Sequence, residues 1–362
     1  MSKKIRNSNF ELMRIISMFL IVLYHTICHG HVIQNSTTPF LKTFFLILEI
    51  ITIVHVNSFV LVSGYYQCES EFKIKKIIKL WLLNLFYGLT FIFIFSYFNI
   101  IEISKFSIIK NLLFLNINEY WFIKIYLLLF CFTPFLNIII KNISKRDHKI
   151  LIGLLIIFFS IIPTISGQEV LNNNGYTLIQ FILLYFIGAY LKKFPLKLKD
   201  NKLLIRLVSI VIFSLCVILN YGLLFYINKI DCNNNEYIAY VCNNINISYL
   251  SYSNPLILIQ SVAYFIFFLT FSFQSKIINK VASLVLGIYF IHDNEYVRAW
   301  IYTFLKIDNG LIYSRRYIIY FIKIVFLIYI SCLIIESIRK FIIYLIIKLK
   351  NKITEINVIE NK

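Results

Sequence analysis

Uncharged, apolar runs of about 18–22 residues recur along this 362-residue chain. A run of that length lets an α-helix cross about 30 Å of hydrocarbon with its backbone polar groups bonded inside the segment. Ten spans are expected, near 10–29, 43–64, 77–98, 121–140, 149–165, 176–191, 203–224, 254–273, 281–299 and 317–336. The fold class is therefore all-α: a polytopic membrane protein of about ten transmembrane helices. One transmembrane domain is expected over 1–350, followed by a polar tail over 351–362. A soluble domain is excluded, since 59% of the residues are hydrophobic and only 15% are charged. The first run is too long for a secretory signal and lacks a small-residue cleavage site, so it reads as a retained span. The apolar stretch from Phe341 to Leu349 is too short to return across the bilayer. It either extends the tenth helix or lies on the surface.

The net charge of +19 does not point to nucleic acid, because the lysines sit in short loops between apolar runs. Lys and Arg favour the N-terminus, the even-numbered loops and the C-terminus by about three to one. That bias places both termini, and the polar tail, in the cytoplasm. The loop holding Arg298, Lys306, Arg315 and Arg316 runs against the bias. The longest external loop, about 225–254, is Asn-rich and holds Cys232 and Cys242. A disulfide between them and two free thiols both fit. The seven cysteines form no CxxC pair and no zinc-like cluster.

Within the spans, Arg14 and His25 stand out. Eleven residues at about 100° each leave a remainder of about 20°, so the two share one helix face about 16 Å apart. A fixed cation and a titratable base on one stripe of a membrane helix are costly to bury and mark a functional site by default. Arg14 alone could snorkel to the interface, and His25 alone could be a bonded polar residue between helices. The second span carries Glu49, His55, Asn57 and Ser58 and closes on Ser63, Gly64 and Tyr65. Ser63 and Gly64 would also serve plain helix packing, whereas Glu49 and His55 each need a partner at that depth. Trp121 opens the fourth span beside Tyr120, where an interfacial aromatic belt is the bland reading. Thr133-Pro134 could break that helix. The ninth span holds His292, Asp293, Glu295 and Arg298. Neighbours on a helix do not face each other, so Asp293 need not meet His292. No phosphate-binding glycine loop, HExxH, GxSxG or Asp-x-Asp motif occurs. A hydrolytic triad and metal-assisted glycosyl transfer are thereby disfavoured, and no metal is expected.

Taken in order, these motifs resemble the integral-membrane acyltransferase family 3, of the bacterial polysaccharide and cell-surface O-acetyltransferase type. The match rests on Arg14 with His25 at the end of Ile21-Val22-Leu23-Tyr24, and on Phe59 to Tyr65 as a Phe-x-x-x-Ser-Gly-Tyr run. It continues through Tyr120-Trp121-Phe122, Thr133-Pro134-Phe135-Leu136-Asn137, Tyr185 to Tyr190, and Ile288 to His292. Some family members carry a soluble esterase-like domain after the membrane part, and no counterpart is read here. The resemblance implies an acyl-CoA-dependent O-acyltransferase of the bacterial cytoplasmic membrane. It would move an acetyl group from acetyl-CoA to a hydroxyl of a cell-surface or lipid-linked glycan. His25 and His292 would then be catalytic, with Arg14, Ser63, Gly64 and Tyr65 on the donor side and Glu49, Trp121 and Glu295 on the acceptor. The expected partners are the lipid bilayer, the glycan acceptor and other cell-envelope biosynthesis proteins. A transporter or flippase of a glycan or lipid-linked precursor is the alternative. A glycan polymerase would want a larger, charge-rich external loop.

Overall fold

A computed structural model describes residues 7–112, 120–166, 172–196, 201–227, 249–307 and 315–360, with isolated positions 229, 236, 239 and 240. Cys232 and Cys242 lie outside the described residues, as does any bond between them. Among the described residues the structure is helical, without strands. The helices are α1 (Asn9–His29), α2 (Val32–Asn35), α3 (Pro39–Thr52), α4 (Val54–Gln67), α5 (Ile74–Tyr97) and α6 (Lys105–Leu112). There follow α7 (Trp121–Asn142), α8 (Lys145–Ile156), a π-turn (Ile157–Ile161), α9 (Ile162–Ser166), α10 (Leu178–Lys193) and α11 (Lys202–Ile227). The remainder are α12 (Pro255–Leu269), α13 (Lys276–Ala282), α14 (Val285–His292), α15 (Glu295–Phe304) and α16 (Arg316–Glu360).

Among the described residues, seven continuous or once-interrupted helical segments are long and apolar enough to cross a membrane: Asn9–His29, Pro39–Gln67, Ile74–Tyr97, Trp121–Asn142, Lys145–Ser166, Lys202–Ile227 and Arg316–Asn351. The protein is a polytopic all-α membrane protein. Two further expected spans are shorter helices, α10 of 16 residues and α12 of 15. The stretch from Phe341 to Leu349 continues α16 and does not lie apart from it.

Three local features depart from plain spans, each for a stated reason. The second span bends at Ile53 without proline or glycine. Next to the bend the Thr52 hydroxyl donates back to the Glu49 carbonyl at 2.8 Å, and His55 Nδ1 takes the Thr52 carbonyl at 2.6 Å. Side chains that bond backbone carbonyls in this way loosen and bend a helix. In α7, Pro134 supplies no N–H, so the carbonyl of Phe130 loses its helical donor. The Thr133 hydroxyl donates to that carbonyl at 2.7 Å, and the helix continues to Asn142 instead of breaking. The ninth span is not one helix. It divides into α13, α14 and α15, with Asp293 leaving the helix at φ −97° and ψ 3°. Asn294 then caps α15, its side-chain oxygen accepting from the N–H groups of Tyr296 and Val297 at 3.2 and 3.4 Å.

α1 lies at the centre and separates two apolar cores. One joins Met18, Ile21, Val22 and Ile27 to Val285–Ile291 of α14 and to Tyr317, Phe321 and Val325 of α16. The other joins Phe10 and Met13 to α4, α10 and α12 through Val60, Leu61, Leu184, Tyr185 and Phe265. α4 and α10 cross at Gly64 and Gly188. A Cβ on Gly64 would stand 2.2 Å from the Tyr185 carbonyl oxygen, and one on Gly188 2.3 Å from that of Leu61. Only a bare backbone permits this approach. Large apolar side chains such as Phe135, Ile165, Leu203, Ile218 and Ile334 remain exposed on the outer surface, as lipid contact requires.

Candidate active site

The break after His292 decides the site. α14 delivers His292, fully buried, against α1, while the turn that follows brings Asp293 to the same place. His25 Nδ1 lies 3.1 Å from His292 Nε2 and 3.3 Å from Asp293 Oδ1. His292 Nδ1 is 2.7 Å from the Ile288 carbonyl oxygen. A carbonyl only accepts, so His292 carries its proton on Nδ1 and turns the lone pair of Nε2 toward His25. His25 therefore donates from Nδ1 to His292, and the Asp293 carboxylate lies 3.3 Å from the same nitrogen. Its own lone pair is left on Nε2. These hydrogen-bond partners assign the tautomers, and they describe a neutral imidazole oriented as a base.

Asp293 is held in turn. Arg298, one turn along α15, donates to Asp293 Oδ1 at 3.2 Å. The turn itself is anchored by Tyr120, which donates to the Phe290 carbonyl at 2.8 Å and accepts from Asn294 Nδ2 at 3.1 Å. Tyr120 sits in the left-handed region at φ 52°, immediately before α7. His29, one turn beyond His25, places its ring 5.3 Å from that of His25.

The other candidate residues fall into three places. Arg14, 30% exposed in its side chain, pairs with Glu11 at 3.3 Å near the start of α1. Tyr65 lines a cavity of about 260 Å³ at that same end, with Asn9, Phe10, Tyr66, Lys202 and Thr270. Ser63 is turned toward α7, 3.1 Å from the Tyr126 hydroxyl, and donates to the Phe59 carbonyl at 2.9 Å. Gly64 is accounted for by the α4–α10 crossing. Glu49 is buried and accepts from Cys28 Sγ at 3.2 Å and from the Tyr249 hydroxyl at 3.3 Å. The structure thus puts it against the side of α1 and not within the His25–His292–Asp293 contact. Trp121 packs on Tyr176 and Tyr252, with ring centroids 4.4 and 5.6 Å away. Tyr252 donates to His55 Nε2 at 3.2 Å, and the His55 ring lies 5.2 Å from Tyr24, the neighbour of His25. A wall of rings thereby leads from Trp121 toward the base. Glu295 is the first residue of α15, one position beyond the capping Asn294.

The sequence pattern singles out His25 and His292 but leaves Asp293 and Arg298 without a role. The available signal was the Asp293-Asn294 pair, whose short polar side chains favour helix ends and caps over helix interiors.

A polytopic helical bundle with a half-buried, oriented histidine on a candidate membrane span has the makings of a membrane-embedded transferase. The chain belongs to acyltransferase family 3: residues 7–337 match the sequence model of that family, described as an acyltransferase domain. No curated protein and no solved structure matches the chain. The protein is a membrane acyltransferase.

Proposed function

We propose that this acyltransferase moves an acetyl group from acetyl-CoA to a hydroxyl of a cell-surface or lipid-linked glycan in the bacterial cytoplasmic membrane. The observation that carries the reading is the tautomer of His25. With Nδ1–H donated to His292 beside the Asp293 carboxylate, Nε2 is free to take a proton. His25 Nε2 accepts the proton of the attacking hydroxyl as its oxygen bonds the thioester carbonyl carbon. The C–S bond breaks, and His25 returns the proton to the departing thiolate. Asp293 stabilises the imidazolium while it lasts, and Arg298 keeps the carboxylate in place. His292 is a positioning residue in this scheme, since its own Nδ1 proton stays on the Ile288 carbonyl.

The donor enters from the start of α1. Arg14 offers a planar, permanently charged fork for phosphate oxygens in exchange for Glu11, and Tyr65 and Lys202 border a cavity at the same end of α1. Eleven residues of helix, about 16 Å, separate this fork from His25, a gap suited to a long pantetheine arm. Trp121, half-buried, and Tyr176, exposed, supply flat apolar faces of the kind that stack on sugar rings, with the buried Tyr252 packed behind them, which supports an acceptor on that side.

The test is a thermal shift of the detergent-purified protein. Saturating acetyl-CoA should raise the melting temperature, as about 2.7 kcal/mol of stabilisation is expected at a hundredfold excess over Kd. Free acetate should not. Arg14→Ala should lose most of the shift and His25→Ala should keep it. A folded protein indifferent to acetyl-CoA would instead support a glycan transporter, which has no use for a thioester.

A further inference from the structure

His25 and His29 are four residues apart on α1, the spacing that puts two imidazoles on one helix face. Asp293 reaches the same point from the α14–α15 turn. One ligand atom from each of His25, His29 and Asp293 lies within 4.8 Å of the other two. Two ligands on a tetrahedral zinc ion at the usual bond lengths stand about 3.3 Å apart, and His25 Nδ1 and Asp293 Oδ1 are 3.3 Å apart. His292 adds a fourth donor of the right kind. Its Nε2 faces His25, while its Nδ1 is tied to a backbone carbonyl, the outer contact that usually orients a metal-binding histidine. Both His25 and His29 are half-buried, so a small ion can reach them without disrupting the bundle.

We infer that His25, His29 and Asp293 form an inhibitory site for a zinc-class divalent cation, which silences the base by occupying it. The inference rests on the proposed role of His25. The logic is that neutral imidazole has one lone pair. A cation on Nε2 takes that lone pair directly. A cation on Nδ1 forces the ring proton onto Nε2, and the lone pair there is lost as well. No redox step is involved, and the only bond change is the N–H broken at Nδ1 and formed again at Nε2 when the cation binds Nδ1. The donor set of nitrogens with one carboxylate selects zinc-class ions over Mg²⁺ and Ca²⁺, which prefer all-oxygen cages. Arg298 opposes the cation, since its guanidinium already holds Asp293 Oδ1. Occupancy would therefore be weaker than the same three donors would give without the guanidinium.

The experiment uses the full-length protein in detergent, stripped by a chelator and then titrated with Zn²⁺, with Mg²⁺ in parallel. Two quantities are read: zinc bound per chain, by competition with a chromogenic chelator, and acyl transfer. The expected result is one zinc per chain, inhibition that follows its binding, reversal by chelator, and no response to Mg²⁺. His29→Gln should keep its turnover in chelator but bind zinc at least about 10–100-fold more weakly, the usual loss when a metal's supporting contacts are removed. Its inhibition curve should shift by the same factor. Asp293→Asn, read for binding alone, should weaken zinc as well. Failure of the wild type to bind stoichiometric zinc, or equal affinity in wild type and His29→Gln, would overturn the site. The binding readout does not depend on acyl transfer. Stoichiometric zinc lost in His29→Gln would uphold the site even if no acyl group were moved, and that outcome would reject only the enzymatic reading.

Discussion

Asp293→Asn tests whether the His25 tautomer is the working part of the site. Asp293 Oδ1 stands 3.3 Å from His25 Nδ1 and carries the negative charge that would stabilise an imidazolium. Hydrogen bonds to a charged group contribute about 1.5–3 kcal/mol. At 1.36 kcal/mol per factor of ten in rate, losing that contribution only when His25 is protonated lowers kcat by about 10–150-fold. His292→Phe removes a neutral acceptor worth about 0.5–1.5 kcal/mol and should cost about 2–10-fold. Because both act through one proton, their effects should not add. The double variant should fall to the level of His25→Ala, a loss of about 10²–10⁴. The assay is steady-state transfer of labelled acetyl from acetyl-CoA in detergent or proteoliposomes, with kcat and donor KM separated. Donor KM should stay put, since Arg14 and the cavity beside Tyr65 are about 16 Å away along α1. The substitution should be tolerated by the fold, because the Arg298 side chain it leaves without a carboxylate is 30% exposed. An Asp293→Asn protein with unchanged kcat, or one whose defect appears only in donor KM, would refute the reasoning.

Other outcomes follow from other parts of the structure. Asn294→Ala removes the α15 cap and the contact to Tyr120, which should cost about 1 kcal/mol of stability and lower kcat by loosening Asp293; melting curves and turnover check both. Gly64→Ala should destabilise by about 1–3 kcal/mol or prevent folding, because the new Cβ meets the Tyr185 backbone; reduced yield and a lower Tm with normal donor KM in the surviving fraction would confirm a packing role. Arg14→Lys should weaken donor binding nearly as much as Arg14→Ala, since a point charge does not replace the fork; full acetyl-CoA protection in the Lys variant would reduce Arg14 to an anchor. A cysteine introduced at Lys197 should stay unlabelled by an impermeant thiol reagent in intact cells, as the Lys and Arg bias requires; labelling would reverse the orientation.

The features of this protein legible in its amino-acid order are those that depend on local chemistry. Hydrophobic run length decides between a membrane bundle and a soluble domain, because unpaired backbone groups cannot be left in hydrocarbon. Helical periodicity put Arg14 and His25 on one face of a single helix, and the structure keeps α1 continuous from Asn9 to His29. Tertiary structure decided what a single helix cannot: which groups meet His25. Read as part of an unbroken span, His292 and Asp293 diverge by about 100°. They converge on His25 only because the helix stops at Asp293, and that stop is held by Tyr120, just before α7, and by the Asn294 cap. The zinc-class ligand set has the same origin, with two histidines from one helix and a carboxylate from a turn more than 260 residues away in sequence. The close crossing at Gly64 was likewise ambiguous until Tyr185 was placed against it, because a small residue records permission to approach but not what approaches.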